Sequence, residues 1–403
     1  MDLAPLTPLY ECPGPWASAY LDTSFADEAT LSRRELRGRQ ISEELAAQGA
    51  DQETCRAVRR VIDSYAYGQT PGRAVFAAHS EVVFEPVLGI PPPDESFAVW
   101  APLPHVTPLL ELAPDEPDAL VVHIDRIGAD FELRTAAGSR TEGTVEGRDW
   151  PVHRTTASDW SERHFQLSVE NTWEENARTV ASAVEEAVTR TGAALVVLVG
   201  DERERRTVHE ALPAHLSATV VETDHGGRAA GSQSAPLDEW IAAERREQAR
   251  LRADETLERF TAAKRRDGSI GAADGVEALV DAAREHRIAT LLLRPDGPDT
   301  HREVWAGPQA EQIALRRTDA RALGEPEPLP VRADDALLRS AVLTGADVVV
   351  VGADAARDRS PAEDLAADNR PETGQSGSEP VGGLGAVLRW PTDGDHPLVE
   401  TGT

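Results

Sequence analysis

The residues best suited to chemistry in this sequence lie between Arg148 and Arg163. Three arginines (Arg148, Arg154 and Arg163) stand there with His153 and His164, balanced by Asp149, Asp159 and Glu162. In a chain of formal charge −29 this neutral stretch is a local enrichment in cations. Arginine and histidine contact phosphate, and Trp160 can stack on a base. The same residues fit a second reading, the start of a helix. Ser158 or Asp159 would cap it and Glu162 would supply an acidic first turn. Gln166 follows, the nearest residue able to position a water molecule.

Other motifs carry less. Gly231-Ser232-Gln233 reads as a linker, and Gly382-Gly383-Leu384-Gly385 leads into a strand, not into the helix that a phosphate loop requires. His209 and His215 are six residues apart, so they do not share a helix face, and no third ligand accompanies them. No Gly-x-Ser-x-Gly elbow is present. Cys12 and Cys55 make no pair motif. We therefore expect no metal and no cofactor. Trp173 reads as a core residue of a long helix.

The elements that must position these residues fall into three regimes, 1–117, 118–232 and 233–403. The first reads as α+β. Its strand begins at Trp16, helices run over 29–48 and around Val58 to Ile62, and short strands lie at 74–77 and 82–84. Pro-rich punctuation from Pro91 to Pro108 follows. The second regime reads as α/β, with strands at 119–125 and 129–135 and a loop over 153–166. A long helix from Ser161 to Thr191 comes next, then strands at 194–199 and 218–222 around a helix at 203–212. In the third, a charged helix over 236–266 precedes two helix–strand units and a last strand at 385–390. The polar, acidic stretch 357–380 reads as a disordered loop.

Composition narrows the class. The 403 residues are 40% hydrophobic, enough for real cores, with no apolar run of membrane-spanning length. Met1 to Trp16 lacks the order of a signal peptide. Cytoplasm is the expected compartment. Nearly all basic side chains are arginine, Lys264 being the single lysine. The net acidity opposes nonspecific attraction to nucleic acid but leaves room for a fit by shape with local basic contacts.

Four stretches carry a resemblance to a known family: 13–21 (PGPWASAYL), 71–76 (PGRAVF), 102–105 (PLPH) and 170–174 (ENTWE). With the order of elements, they resemble the archaeal and eukaryotic class-1 release factor family. The likeness is to its bacterial branch, described as peptidyl-tRNA hydrolase-like proteins and Balon-type ribosome hibernation factors. The resemblance covers the chain apart from 357–380. It implies a three-domain protein with an N-terminal α+β domain, a release-factor-like α/β middle domain and a C-terminal ribosomal-protein-like α/β/α sandwich.

The same resemblance implies a monomer that binds rRNA in the ribosomal A site, away from membranes, with elongation factor Tu as a further partner. The family's middle domain places Gly-Gly-Gln at the peptidyl transferase centre. Registered on Phe165, Arg178 and Val180, that position here reads Ser158-Asp159-Trp160. Glutamine and both glycines are missing, and side chains at the glycine positions cannot copy a backbone free of Cβ without cost. The family's Asn-Ile-Lys-Ser codon-reading loop is absent from 1–115. The resemblance thus implies a non-catalytic factor of stress or hibernation. Its ribosome-contacting residues would be His153, Arg154, Ser158, Asp159, Trp160, Arg163 and His164. The alternative is a peptidyl-tRNA hydrolase of ribosome rescue using Gln166.

Overall fold

The computed structural model describes residues 3–25, 30–93, 96–113, 116–135, 138–146, 159–228, 235–265, 270–352 and 379–392. Most of the stretch expected to be a disordered loop, 357–378, lies outside them. In the first regime α1 (Thr7–Glu11) precedes β1 (Trp16–Asp22), α2 (Thr30–Ala47) and α3 (Gln52–Ser64). Then come β2 (Gly72–Ala78), β3 (Glu81–Phe84), β4 (Val87–Leu88), β5 (Phe97–Ala101) and α4 (Thr107–Leu112). The sheet runs β3-β2-β1-β5, antiparallel, with β4 also on β2.

Strand alternation explains its double burial. On β1, Ala17, Ala19 and Leu21 face Ile41 and Leu45 of α2 and Val58 and Ile62 of α3. Trp16 and Tyr20 face the other core. Asp51 caps α3, accepting from the backbone N–H groups of Glu53 and Thr54. Strand β5 and helices α1 and α4 go beyond the sequence expectation. Pro8 sits in the first turn of α1, and Pro108, the last of the prolines that read as punctuation, in the first turn of α4, where a missing N–H costs nothing.

The middle regime holds β6 (Ala119–Ile124), β7 (Gly128–Thr135), β8 (Gly138–Glu146), α5 (Asp159–Thr191), β9 (Leu195–Val199), α6 (Glu202–Ala211) and β10 (Thr219–Thr223). The order is β10-β9-β6-β7-β8, with β6, β9 and β10 parallel and β7 and β8 a hairpin on one edge. Leu120, Val122 and Ile124 meet the α5 stripe Ala177, Val180, Val184 and Val188. On the opposite face Val121, Val197 and Val199 meet Leu237 and Ile241. Those two belong to α7 (Ala235–Arg265).

The last regime contains β11 (Ile270–Asp274), α8 (Val276–Arg284), β12 (Ile288–Leu293), β13 (Glu303–Ala306) and β14 (Ile313–Ala314). It continues with α9 (Arg317–Ala322), β15 (Leu329–Arg332), α10 (Ala333–Thr344), β16 (Asp347–Val350) and β17 (Leu384–Thr392). One sheet is β11-β17-β12-β16 and a smaller one is β14-β13-β15. Leu291 and Leu293 of β12 pack with Leu279 of α8 and Leu337 of α10, while Leu292 packs with Phe260 of α7. Helices thus cover both faces, the α/β/α arrangement expected. The smaller sheet is an addition. Its strands, two to four residues long, carry too little periodicity to be read from sequence.

The chain divides into two compact units, Met1–Pro114 with Arg252–Thr403 as one and Asp115–Leu251 as the other. In the first unit Trp16, Tyr20 and Phe76 share a single hydrophobic cluster with Leu279, Leu291 and Leu337. Among the described residues no helix is long and apolar enough to cross a membrane.

Candidate functional site

Helix α5 begins at Asp159, two residues before the expected start at Ser161. The expected loop over 153–166 is therefore helix from Asp159 onward. Its physical basis is local, since no glycine or proline interrupts 159–166. Asp159 and Trp160 occupy the first turn, with Arg163, His164 and Gln166 within the first two. His153, Arg154 and Ser158 lie outside the described residues, as do the side chains of 159–172. Gln166 stands seven residues along α5, about 10 Å of helical rise from Asp159.

Further along α5 the helix is tied to its neighbours. The guanidinium of Arg203 lies over the ring of Trp173 at 4.4 Å from its centroid. Trp173 is half-buried rather than core. One turn on, Asn176 Nδ2 donates to the Arg126 carbonyl at 3.2 Å, and Arg126 Nε reaches Glu204 at 3.0 Å. Helix α5, the β6–β7 turn and α6 are thereby held together. After β10, Arg228 bridges Asp125 at 2.8 Å and Asp130 at 3.1 Å. Those contacts outweigh the burial of Asp130 and hold its carboxyl below the usual range. His209 pairs with Glu222 and His215 with Glu185, so the two histidines do not converge on a metal.

A second constellation went unread in the sequence. In the unit formed by the two ends of the chain, His105 Nδ1 lies 3.0 Å from Asp335. The His105 backbone N–H donates to Ser18 Oγ at 3.0 Å, and the Tyr20 hydroxyl donates to the His105 carbonyl at 2.6 Å. Beside them Thr107 Oγ1 donates to Asp334 at 3.0 Å. Arg332 grips the Asp334 carboxylate with two bonds, at 3.0 and 2.8 Å. Asp334 and Asp335 are fully buried in the first turn of α10, where the dipole favours negative charge.

Burial pushes Asp335 up to about 6, although His105 pulls it down. Burial lowers the imidazole of His105, but Asp335 and Asp334 together raise it above its ordinary value. The pair shares its proton tightly and titrates as a unit. His105, Asp334 and Asp335 can bring three ligand atoms within 4.8 Å of one another. The bidentate guanidinium already occupies Asp334, which makes this a structural ion-pair network and not a metal centre. The one sequence hint was the 102–105 stretch. Its partner lies 230 residues away, beyond any spacing rule.

The described elements define a mixed α/β protein with several sheets. Residues 118–266 match the model of Bacterial archaeo-eukaryotic release factor family 2. Two strains of Mycobacterium tuberculosis, CDC 1551 / Oshkosh and ATCC 25618 / H37Rv, carry similar uncharacterized proteins, MT2704 and Rv2629. Each is 28% identical over 380 residues, 94% of either chain. Among solved structures the chain is similar to ribosome-bound archaeal Pelota (14% identity, 97% of this chain and 94% of that one, TM-score 0.39). It is also similar to the archaeal translation termination factor aRF1 (15%, 96% and 96%, TM-score 0.22). A third is S. cerevisiae Dom34 (12%, 80% and 80%, TM-score 0.35).

Proposed function

We propose that this protein is a cytoplasmic, ribosome-associated factor that enters the A site as a monomer. Residues 155–163 would face the peptidyl transferase centre, in a stress or hibernation role without hydrolysis. The reading rests on one combination: a release-factor family match over 118–266, with Ser158-Asp159-Trp160 standing, in the register set by Phe165, Arg178 and Val180, where class-1 release factors carry Gly-Gly-Gln. Water at the ester of peptidyl-tRNA is placed by a flexible backbone and an amide able to donate and accept. Trp160 offers one N–H donor and no acceptor, and Asp159 opens a regular helix. Gln166 lies about two turns into α5 and not at its tip, which argues against its replacing the missing amide. Base stacking by Trp160 and phosphate contacts by Arg154 and Arg163 suit an occluding role. Elongation factor Tu is a proposed delivery partner, and the three-domain organisation of the family is proposed for the chain.

The test is co-sedimentation of purified protein with empty bacterial ribosomes while peptidyl-tRNA hydrolysis is followed in the same samples. Binding without hydrolysis is the expected result. Hydrolysis above the ribosome-only background, abolished by Gln166→Ala, would establish the rescue hydrolase instead. No association would remove the ribosomal reading altogether.

A further inference from the structure

Within the unit built from the two ends of the chain, a half-open cleft of about 680 Å³ lies between the segment following α1 and the β13–β15 region. That size suits a ligand or a short peptide segment. Its walls are apolar and include Trp16, Pro15, Leu103, Pro308, Leu329 and Val331. Leu329 is 53% exposed and adds apolar surface at the mouth of the cleft.

The cleft is polar at two levels, of opposite character. Its inner lining includes Arg339, only 4% exposed, whose Nη atoms donate to the carbonyls of Gly307 at 2.7 Å and Gln309 at 3.1 Å. The Nε–H of Arg339 and the hydroxyl of Tyr10 are closed off from solvent and have no hydrogen-bond partner among the described residues. The other lining charges are Glu11, Glu325 and Glu327. Glu11 and Glu327 are exposed and Glu325 half-buried, and none forms an ion pair among the described residues. An occupant bearing cations beside its apolar part would be held by this acidic rim.

We infer that this cleft is a docking site for a peptide segment in which large apolar side chains are flanked by arginine or lysine. The apolar side chains fill the Leu103–Leu329–Val331 walls. The flanking cations meet Glu325 and Glu327. This site is independent of the proposed ribosomal role and does not involve 155–163.

The chain carries its own reporter. Cys12 lines the cleft and is half-exposed, whereas Cys55 is buried and burial pushes its thiol up. The full-length protein is treated with N-ethylmaleimide alone and with three acetylated, amidated peptides: Arg-Pro-Leu-Trp-Arg, Glu-Pro-Leu-Trp-Glu and Arg-Pro-Ser-Ser-Arg. Binding of each peptide, fluorescently labelled, is measured in parallel by polarization. The basic apolar peptide is expected to bind and to slow Cys12 alkylation about fivefold, the free fraction falling to about a fifth. The other two should leave the rate unchanged. In the double variant Glu325→Gln/Glu327→Gln, isosteric changes at the half-buried Glu325 and the exposed Glu327, binding and protection should both be lost. Equal protection by all three peptides, protection undiminished in the double variant, or no binding by the basic apolar peptide would each overturn the assignment.

Discussion

At the scale of single residues, Asp334 and Asp335 illustrate how one turn of helix can carry two different electrostatic roles. Asp334 accepts from Thr107, from Arg332 twice and from the backbone N–H of Asp335 at 2.9 Å. Removing it strands a guanidinium and a buried hydroxyl. Asp334→Ala should destabilise its unit by about 3–5 kcal/mol in urea titration, with Asp334→Asn falling between. Asp335 instead titrates with His105. The folded state raises both pKa values, so it holds protons more tightly than the unfolded chain. For Asp335 the stabilisation is full below the ordinary carboxylate range and is lost as pH rises through about 6. For His105 it is full below the ordinary imidazole value and is lost as pH rises through the raised one. Both contributions therefore decline in the same direction. Thermal melts from mildly acidic to mildly alkaline pH should show this as a falling component in the parent protein. Asp335→Asn removes the paired charge and should flatten it; a profile unchanged by that substitution would contradict the assignment.

At the scale of elements, the sheet of the middle unit depends on a close approach at Gly128. A Cβ there would come within 1.9 Å of the Val145 carbonyl oxygen, on the strand that pairs with it. Gly128→Ala should part β7 from β8, lower the unit's stability by about 2–4 kcal/mol and raise hydrogen exchange across 138–146. Strand β8 was absent from the sequence expectation for a physical reason. Its nine residues are almost all polar and exposed, so no apolar alternation marks it. It is held by backbone pairing to β7. Helix α5 was legible for the converse reason. Ala177, Val180, Val184 and Val188 recur at helical spacing and all face the sheet. Only its first residues differed, since caps and first turns shift an element's start by a residue or two.

At the scale of the whole molecule, the ends of the chain cluster together although the sequence reads as three successive regimes. The two descriptions make opposite forecasts for a fragment spanning residues 1–117. A self-sufficient domain would melt cooperatively. The shared cluster of Trp16, Tyr20 and Phe76 with Leu279 and Leu337 predicts instead a fragment that exposes apolar surface, binds a hydrophobic dye and gains order when residues 252–403 are co-expressed. A further prediction concerns charge. A chain of net charge −29 gains no general attraction to RNA, so the proposed ribosome binding should depend on salt only through a few local contacts. The slope of log K against log salt should be about −2, the value for three phosphate contacts to single-stranded segments. Arg154→Gln with Arg163→Gln removes two of the three contacts and should reduce its magnitude by about 1.4.

The sequence alone determined the features that depend on neighbours along the chain. These include the stripe of α5, the buried strands β6, β9 and β12, and the absence of Gly-Gly-Gln before the long helix, because periodicity and residue identity are local properties. The tertiary structure alone decided which distant residues meet. It brought Pro104-His105 against the start of α10, stacked Arg203 on Trp173, and opened a proline-walled cleft over Arg339. These juxtapositions arise from packing apolar faces of elements up to hundreds of residues apart, and no spacing rule along the chain encodes them.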